Sequence, residues 1–414
     1  MIPLAVRVGS AQREKFNLEA IMKQYLYPAN ILIPKENFEK WAVIACDQYT
    51  SDKKYWENVE VTVGNAPSTL RLTLPEIYLS ETEERIKKIN ATMDEYLNSG
   101  IFNSLNDSMV YIEREITGGG LRKGILGLVD LSQYEYEAGK GGLIRATEQT
   151  VTERIPPRVK IRKDAPLEFP HVLLFIDDPD DTVMSSIGDK AKYNKLYDFN
   201  LMQNGGHIEG YELTEDTQNS INEKLSALVK DGLLFAVGDG NHSLATAKEC
   251  SKLNDSPLAK FALAEVVNIH NPAIEFEPIY RVLFGVSANE VLTYLKSKNC
   301  LESGDTTHSF CVIDSNGEST LDLVATSKLP VGTLQGYLDD FLKENKNVEI
   351  DYIHGTDAVR ELCKEENTVG FIFDGMKKEE LFDAVIQDGS LPRKTFSMGH
   401  ADDKRFYIEG RKIK

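Results

Sequence analysis

Asp239 and His242 stand three positions apart within Val237-Gly238-Asp239-Gly240-Asn241-His242-Ser243. A carboxylate and an imidazole held this close can grip a metal ion, carry a proton or orient a hydroxyl. The apolar run from Leu233 to Val237 before them reads as a buried strand, and Leu244 to Lys248 after them is compatible with a helix. Gly238 and Gly240 permit a tight turn between the two. A strand, a glycine turn and a helix start leave free backbone N–H groups and the positive end of a helix dipole aimed at one spot, which suits a phosphate or a carboxylate. Asn241 and Ser243 also read as ordinary helix caps.

A second cluster runs from Ile144 to Arg162 and puts four arginines and one lysine into an otherwise acidic chain. Pro156 and Pro157 stiffen its centre, so the segment reads as an extended strand that aims Arg145, Arg154 and Arg158 at one anion. Glu148 lies among them beside the hydroxyls of Thr147 and Thr150 and offers a base or a metal ligand. The plainer reading is a solvated basic edge strand paired with surface acids. The apolar stretch His171 to Ile176 ends in Asp177, Asp178, Asp180 and Asp181, which offer oxygens for Mg²⁺ or form an acidic surface turn. His207, His270, His354 and His400 show no His-x-x-x-His ligand spacing.

The elements that must position these groups alternate throughout. Helical spacing covers Glu81 to Asn98, Ser220 to Lys230, and a capped segment from Ser287 to Lys296; strands are read at Trp41 to Cys46, Met109 to Glu115, Lys123 to Val129 and Phe261 to Ile269. The pattern implies a mixed α/β (α+β) protein with a core domain over residues 1–290 and a smaller C-terminal α/β domain over 291–414. A net charge of −18 argues against nucleic acid or an anionic membrane as partner. No stretch approaches the ~20 apolar residues of a membrane span. Met1 to Ser10, broken by Pro3 and Arg7, lacks the pattern of a secretory leader, and five scattered cysteines indicate neither a disulfide framework nor zinc. A cytoplasmic protein is the expectation; the oligomeric state is not encoded in any pattern read here.

These residues carry a resemblance. The chain resembles the bacterial and archaeal family called domain of unknown function 1015, through Ile144-Arg145-Ala146-Thr147-Glu148-Gln149-Thr150, Gly238-Asp239-Gly240-Asn241-His242-Ser243 and Leu391-Pro392-Arg393-Lys394-Thr395-Phe396-Ser397. Many members have Asp-Gly-His-His-Arg where this chain has Asp239 to Ser243, and Arg-His-Glu-x-Thr where it has Arg145 to Thr150, a shift of one residue. Gly205-Gly206-His207 and Ser397-Met398-Gly399-His400 resemble a subfamily pattern. The first motif is also similar to the nucleotide site of the ParB/sulfiredoxin-like fold, on which free-serine kinases use ADP or ATP to phosphorylate serine.

The resemblance implies a multi-layer protein with a ParB/sulfiredoxin-like core and a Mg²⁺-assisted phosphoryl transfer to a small hydroxy-amino acid or its phosphate. In that reading the backbone at Gly238, Gly240, Asn241 and Ser243 cradles phosphate and Thr150 adds a hydroxyl. Asp239 holds Mg²⁺ or orients the acceptor, His242 donates to a phosphate oxygen, and Glu148 is the base. Arg145, Arg154 and Arg158 neutralise the developing charge. Two other readings stand beside it. One is a regulator that binds a nucleotide or another small anionic metabolite without transferring anything. The other is a phosphoserine phosphatase with Asp178 as nucleophile, since Asp178-Pro179-Asp180-Asp181-Thr182 and Gly238-Asp239-Gly240 resemble signatures of haloacid-dehalogenase-type phosphatases; His242 and Ser243 stand where that family's later acid is expected.

Overall fold

The computed structural model describes residues 24–414 except 117, 138, 151–154, 300, 301, 303 and 304. Arg154, Cys300 and the Met1 to Ser10 segment therefore lie outside the described residues. In chain order the first elements are β1 (Ala29–Pro34), α1 (Lys53–Val63), α2 (Thr82–Asn98), β2 (Phe102–Ser108), β3 (Val110–Glu115), β4 (Leu121–Asp130), β5 (Tyr134–Glu135) and β6 (Ile144–Ala146). There follow α3 (Ile155–Arg162), β7 (Leu167–Glu168), β8 (Leu173–Ile176), α4 (Thr182–Ser185), β9 (Asn194–Asn200), β10 (His207–Glu212), α5 (Glu215–Ala227), β11 (Phe235–Asp239), α6 (Asn241–Lys252) and β12 (Phe261–Asn268). The remainder is β13 (Phe276–Phe284), α7 (Ala288–Lys298), β14 (Thr307–Asp314), β15 (Gly317–Val324), α8 (Pro330–Glu344), β16 (Glu349–His354), α9 (Thr356–Leu362), β17 (Thr368–Ile372), α10 (Glu380–Asp388), β18 (Phe396–Met398) and β19 (Arg411–Lys412).

The dominant sheet has nine strands in the order β5-β6-β11-β8-β12-β4-β3-β10-β9. Its central strands are continuous apolar runs because both faces are covered: β8 is buried at all four positions, and β12 at every position but its first. Strands β6 and β11 run parallel, β8 runs antiparallel to β11, and β12 runs parallel to β8. The carboxyl ends of β6 and β11 therefore lie side by side, next to the amino end of β8.

Strand β13 opens a second sheet, ordered β15-β14-β17-β13-β16, with β18 added on β13. One apolar core spans both sheets: Phe175, Val267 and Ile274 share it with Val282, Phe310 and Phe371. After β18 the chain returns to the first half. Arg405 bridges to Ile44, Gly410 to Leu32, and β19 pairs with β7. Glu168 on β7 is fully buried between the guanidiniums of Arg411 and Arg162. This return fastens the C-terminal segment against the nine-stranded sheet.

Two local expectations are corrected. Trp41 to Cys46 is buried through Ala45 but is not a strand; only Ile44 forms a bridge. Side chains there supply hydrogen bonds that a ladder would have given: Thr69 Oγ1 donates to the Trp41 carbonyl at 2.6 Å and accepts from the Val43 amide at 3.1 Å. The basic segment is extended only over Ile144–Ala146, and Ile155–Arg162 is helical. Pro156 and Pro157 occupy the first turn of α3, where a missing N–H costs nothing, so they start a helix rather than stiffen a strand. Among the described residues no helix is long and apolar enough to cross a membrane.

Candidate functional site

The turn from β11 to α6 has the form its sequence predicts. Gly240 takes φ +82°, a left-handed conformation that favours glycine. A Cβ on Gly240 would lie 3.1 Å from Val172 Cα, and one on Gly238 would sit 2.5 Å from the Phe175 ring. The glycines thus let the turn press onto the start of β8. The Leu244 amide is the one that closes on the Gly240 carbonyl, at 2.9 Å. Asn241, His242 and Ser243 therefore make the first turn and the positive end of α6. Asp239 turns one oxygen back, accepting from the Gly240 amide at 2.7 Å. Asn241 Oδ1 is enclosed and has no hydrogen-bond partner among the described residues.

Glu148 reaches the same place from the neighbouring strand. Ala146 pairs with Val237, and Thr147 Oγ1 donates to the Val237 carbonyl at 2.7 Å, which fixes the end of β6 against β11. Beyond it the backbone pairs with the C-terminal segment: the Leu391 amide donates to the Thr147 carbonyl at 2.7 Å, and the Gln149 amide to the Leu391 carbonyl at 3.2 Å. The Lys394 amide then donates to Glu148 Oε1 at 3.2 Å. Burial pushes the Glu148 carboxyl above its ordinary range; the Lys394 amide and the ammoniums of Lys394 and Lys404 oppose that, and the Asp239 charge adds to it.

Of the arginines expected here, the described Arg145 and Arg158 do not join this group. Alternation on β6 turns Arg145 away: its guanidinium donates to the carbonyls of Gly142 at 3.1 Å and Asp231 at 3.0 Å, towards the amino end of β11. Arg158, on α3, forms an ion pair with Glu76. Thr150 places its hydroxyl against the Tyr134 phenol. The cations beside Glu148 and Asp239 come instead from the C-terminal segment, as Lys394 and Lys404.

A narrow cleft open to solvent is lined by Asp239 together with His171, Arg122, Glu265, Lys404 and Tyr407. His171 packs edge-on against Phe406, with ring centroids 5.1 Å apart. Asp47 adds a further carboxylate on this side: burial would raise it, but the His171 imidazole, the Gln48 amide and the Lys404 ammonium hold it below its ordinary range. At the floor, Arg122 Nη2 donates to Glu265 Oε2 at 3.0 Å. Sequence reasoning missed Lys394, although it stands in the 391–397 motif, and missed His171, Lys404, Arg122 and Glu265, which no local pattern marks.

Chemically this region offers the Glu148 and Asp239 carboxylates, the start of α6 and the ammoniums of Lys394 and Lys404; of these, Asp239 and Lys404 line the cleft. Glu148 and Asp239 repel each other when both are ionised, so a proton or a hard divalent cation between them is favoured. Two carboxylates suit Mg²⁺ only when phosphate and water oxygens complete the donor set.

Comparison with known proteins places the chain as follows. A family model described as "Protein of unknown function (DUF1015)" matches residues 26–341. No curated protein matches the chain. Among solved structures, a free serine kinase in complex with AMP aligns at a TM-score of 0.39 with 13% identity, covering 68% of this chain and 90% of that one. A mutant free serine kinase in complex with ADP aligns at 0.40 with 11% identity, over 71% and 93%. A conserved hypothetical protein from Pyrococcus furiosus aligns at 0.36 with 12% identity, over 72% and 97%.

Proposed function

The chain belongs to the DUF1015 family, and from that premise we propose that its cleft binds a nucleotide and transfers a phosphoryl group to the hydroxyl of a small hydroxy-amino acid. The observation that carries the reading is the meeting of Glu148 and Asp239 at adjacent strand ends, beside the first turn of α6 and the ammonium of Lys404. In this reading the nine-stranded half is the ParB/sulfiredoxin-like core that the sequence motif implies.

The Asn241, His242 and Ser243 amides hold phosphate oxygens of ADP or ATP, and the His242 ring donates to one of them. Asp239 would hold Mg²⁺, which when bound supplies positive charge to the phosphates. Glu148 takes the proton of the acceptor hydroxyl; its raised carboxyl makes it a better base than an ordinary glutamate. The acceptor oxygen forms the new P–O bond as the bond to the nucleotide's leaving phosphate breaks. Lys394 and Lys404 take the part first assigned to Arg145 and Arg158, offsetting charge on the leaving oxygen.

Phosphatase chemistry through Asp178 has no support. That side chain is 1% exposed and accepts from the Val183 amide at 2.8 Å, an N-terminal capping bond. The test is incubation of the full chain with Mg²⁺, ADP or ATP, and serine or phosphoserine, followed by ³¹P NMR. Turnover sustains the reading. Nucleotide-dependent thermal stabilisation without turnover replaces it with a binding regulator, and absence of both removes it.

A further inference from the structure

We propose that Asp198, His207 and Glu209 form a site for a divalent transition-metal ion at the open edge of the nine-stranded sheet. The inference is independent of the cleft. Strand β9 ends the sheet, and its register with β10 sets Asp198 opposite Glu209 and Asn200 opposite His207. Alternate residues of a strand share a face, so all four side chains project together.

Their ligand atoms lie within 4.8 Å of one another. His207 Nε2 is 2.9 Å from Asp198 Oδ1 and 3.9 Å from Glu209 Oε1. Asn200 Oδ1, which can only accept, sits 2.9 Å from His207 Nδ1. Both ring nitrogens thus face oxygens that only accept: Nδ1–H donates to Asn200, and in the metal-free chain Nε2–H donates to Asp198 Oδ1. A carbonyl oxygen holding the far nitrogen in this way is how metal-binding imidazoles are oriented. A metal ion would take the place of the Nε2 proton, so that Nε2 and the two carboxylate oxygens become three donors around one point.

The remaining carboxylate oxygens are already engaged. Lys195 binds Asp198 Oδ2, while Lys190 and the Tyr211 hydroxyl bind Glu209 Oε2. Lys190 also pairs with Glu113, on the next strand. These ammoniums leave Oδ1 and Oε1 pointing at His207 and hold both acids in place. Three carboxylates against two ammoniums leave the patch one negative charge, which a divalent ion reverses.

One imidazole and two carboxylates select Zn²⁺, Co²⁺ or Ni²⁺ over Mg²⁺. A tetrahedral site sets donor atoms about 3.3 Å apart, so His207 Nε2 has to draw back from Asp198 Oδ1, now at 2.9 Å, and Glu209 Oε1, now at 3.9 Å, has to close in. Solvent completes the coordination, since the site is open. Bound there, the ion staples the edge strand to its neighbour.

The test titrates the metal-free full chain with Co²⁺ and with Zn²⁺, each alone, by calorimetry, with visible absorption of the Co²⁺ form. One saturable equivalent is expected, with affinity at least about tenfold weaker in His207→Ala and in the near-isosteric Asp198→Asn and Glu209→Gln. His270→Ala, which removes the imidazole paired with Asp177, leaves it unchanged. Melting of the metal-free variants, matched to the parent chain, reports the intact fold. Absence of a saturable equivalent, or equal affinity in His207→Ala, overturns the proposal.

Discussion

Glu148 and Lys394 lie 246 positions apart in the chain, yet the Lys394 amide donates to Glu148 Oε1 at 3.2 Å. Lys394 takes a left-handed φ of +59° to make that contact. The fully buried Arg281 guanidinium, on β13, steadies it by donating to the carbonyls of Lys394 at 2.8 Å and Arg393 at 3.2 Å. The second sheet thereby presses a loop onto the end of β6 in the first. The cleft belongs to both halves.

Glu148→Gln removes the base and keeps the shape. Turnover is expected to fall about 100-fold or more while nucleotide affinity changes little, a split that steady-state kinetics and calorimetry read separately. The parent rate is lost as pH drops through the Glu148 carboxyl, which burial holds above the ordinary glutamate range. The sign for stability is opposite: a carboxyl raised in the folded state binds its proton more tightly there, so the same fall in pH favours folding through this group. A rate profile with no such acid limb would refute the assignment.

Lys404→Met takes away a cation that lowers both the Glu148 and the Asp47 carboxyls. Nucleotide affinity is expected to drop about tenfold, as for loss of one charged contact. The acid limb of the rate should move to higher pH, because Glu148 loses an opposing charge. A limb that stays put would show that Lys404 acts elsewhere.

Gly240→Ala tests the turn. A side chain at φ +82° costs about 1–2 kcal/mol, and its Cβ would press on Val172 backbone at 3.1 Å. A lower melting temperature and loss of nucleotide-dependent stabilisation are expected together. Retention of the ligand effect at full size would separate the turn from binding.

Glu168→Gln leaves Arg411 and Arg162 without their shared acid, a loss of about 3 kcal/mol seen as a lower denaturation midpoint. Burial raises the Glu168 carboxyl, but the Arg411 and Arg162 charges outweigh it and hold it below the ordinary range. Its stabilisation is therefore complete above the unfolded-state value and disappears as pH falls through the lowered one. The variant should lack that part of the parent's acid sensitivity.

Much of the scaffold was legible because its signals are local. Leu233 to Val237 marked the buried strand, which lies two residues further on at Phe235–Asp239 and takes in Gly238 and Asp239; Gly240 marked the turn, and Ser287 with Glu290 the capping box that starts α7. Glu148 was visible as a carboxylate among hydroxyls. The direction of Arg145 was not, because three residues of strand decide which face a side chain takes and no sequence pattern fixes that phase. Pro156 and Pro157 serve an extended segment and a first helical turn equally well. Lys394, Lys404 and His171 reach the cleft only through pairing between distant segments, which periodicity does not report.

The return of residues 401–412 to the nine-stranded sheet sets an order of events during synthesis. Strands β1 to β12 leave the ribosome well before Arg405 can bridge to Ile44 or Arg411 can reach Glu168. Until then Glu168 lacks Arg411 and the cleft lacks one wall. A chain without residues 401–412 leaves Glu168 with Arg162 alone and uncovers the apolar side chains that Phe406, Tyr407 and Ile408 pack against.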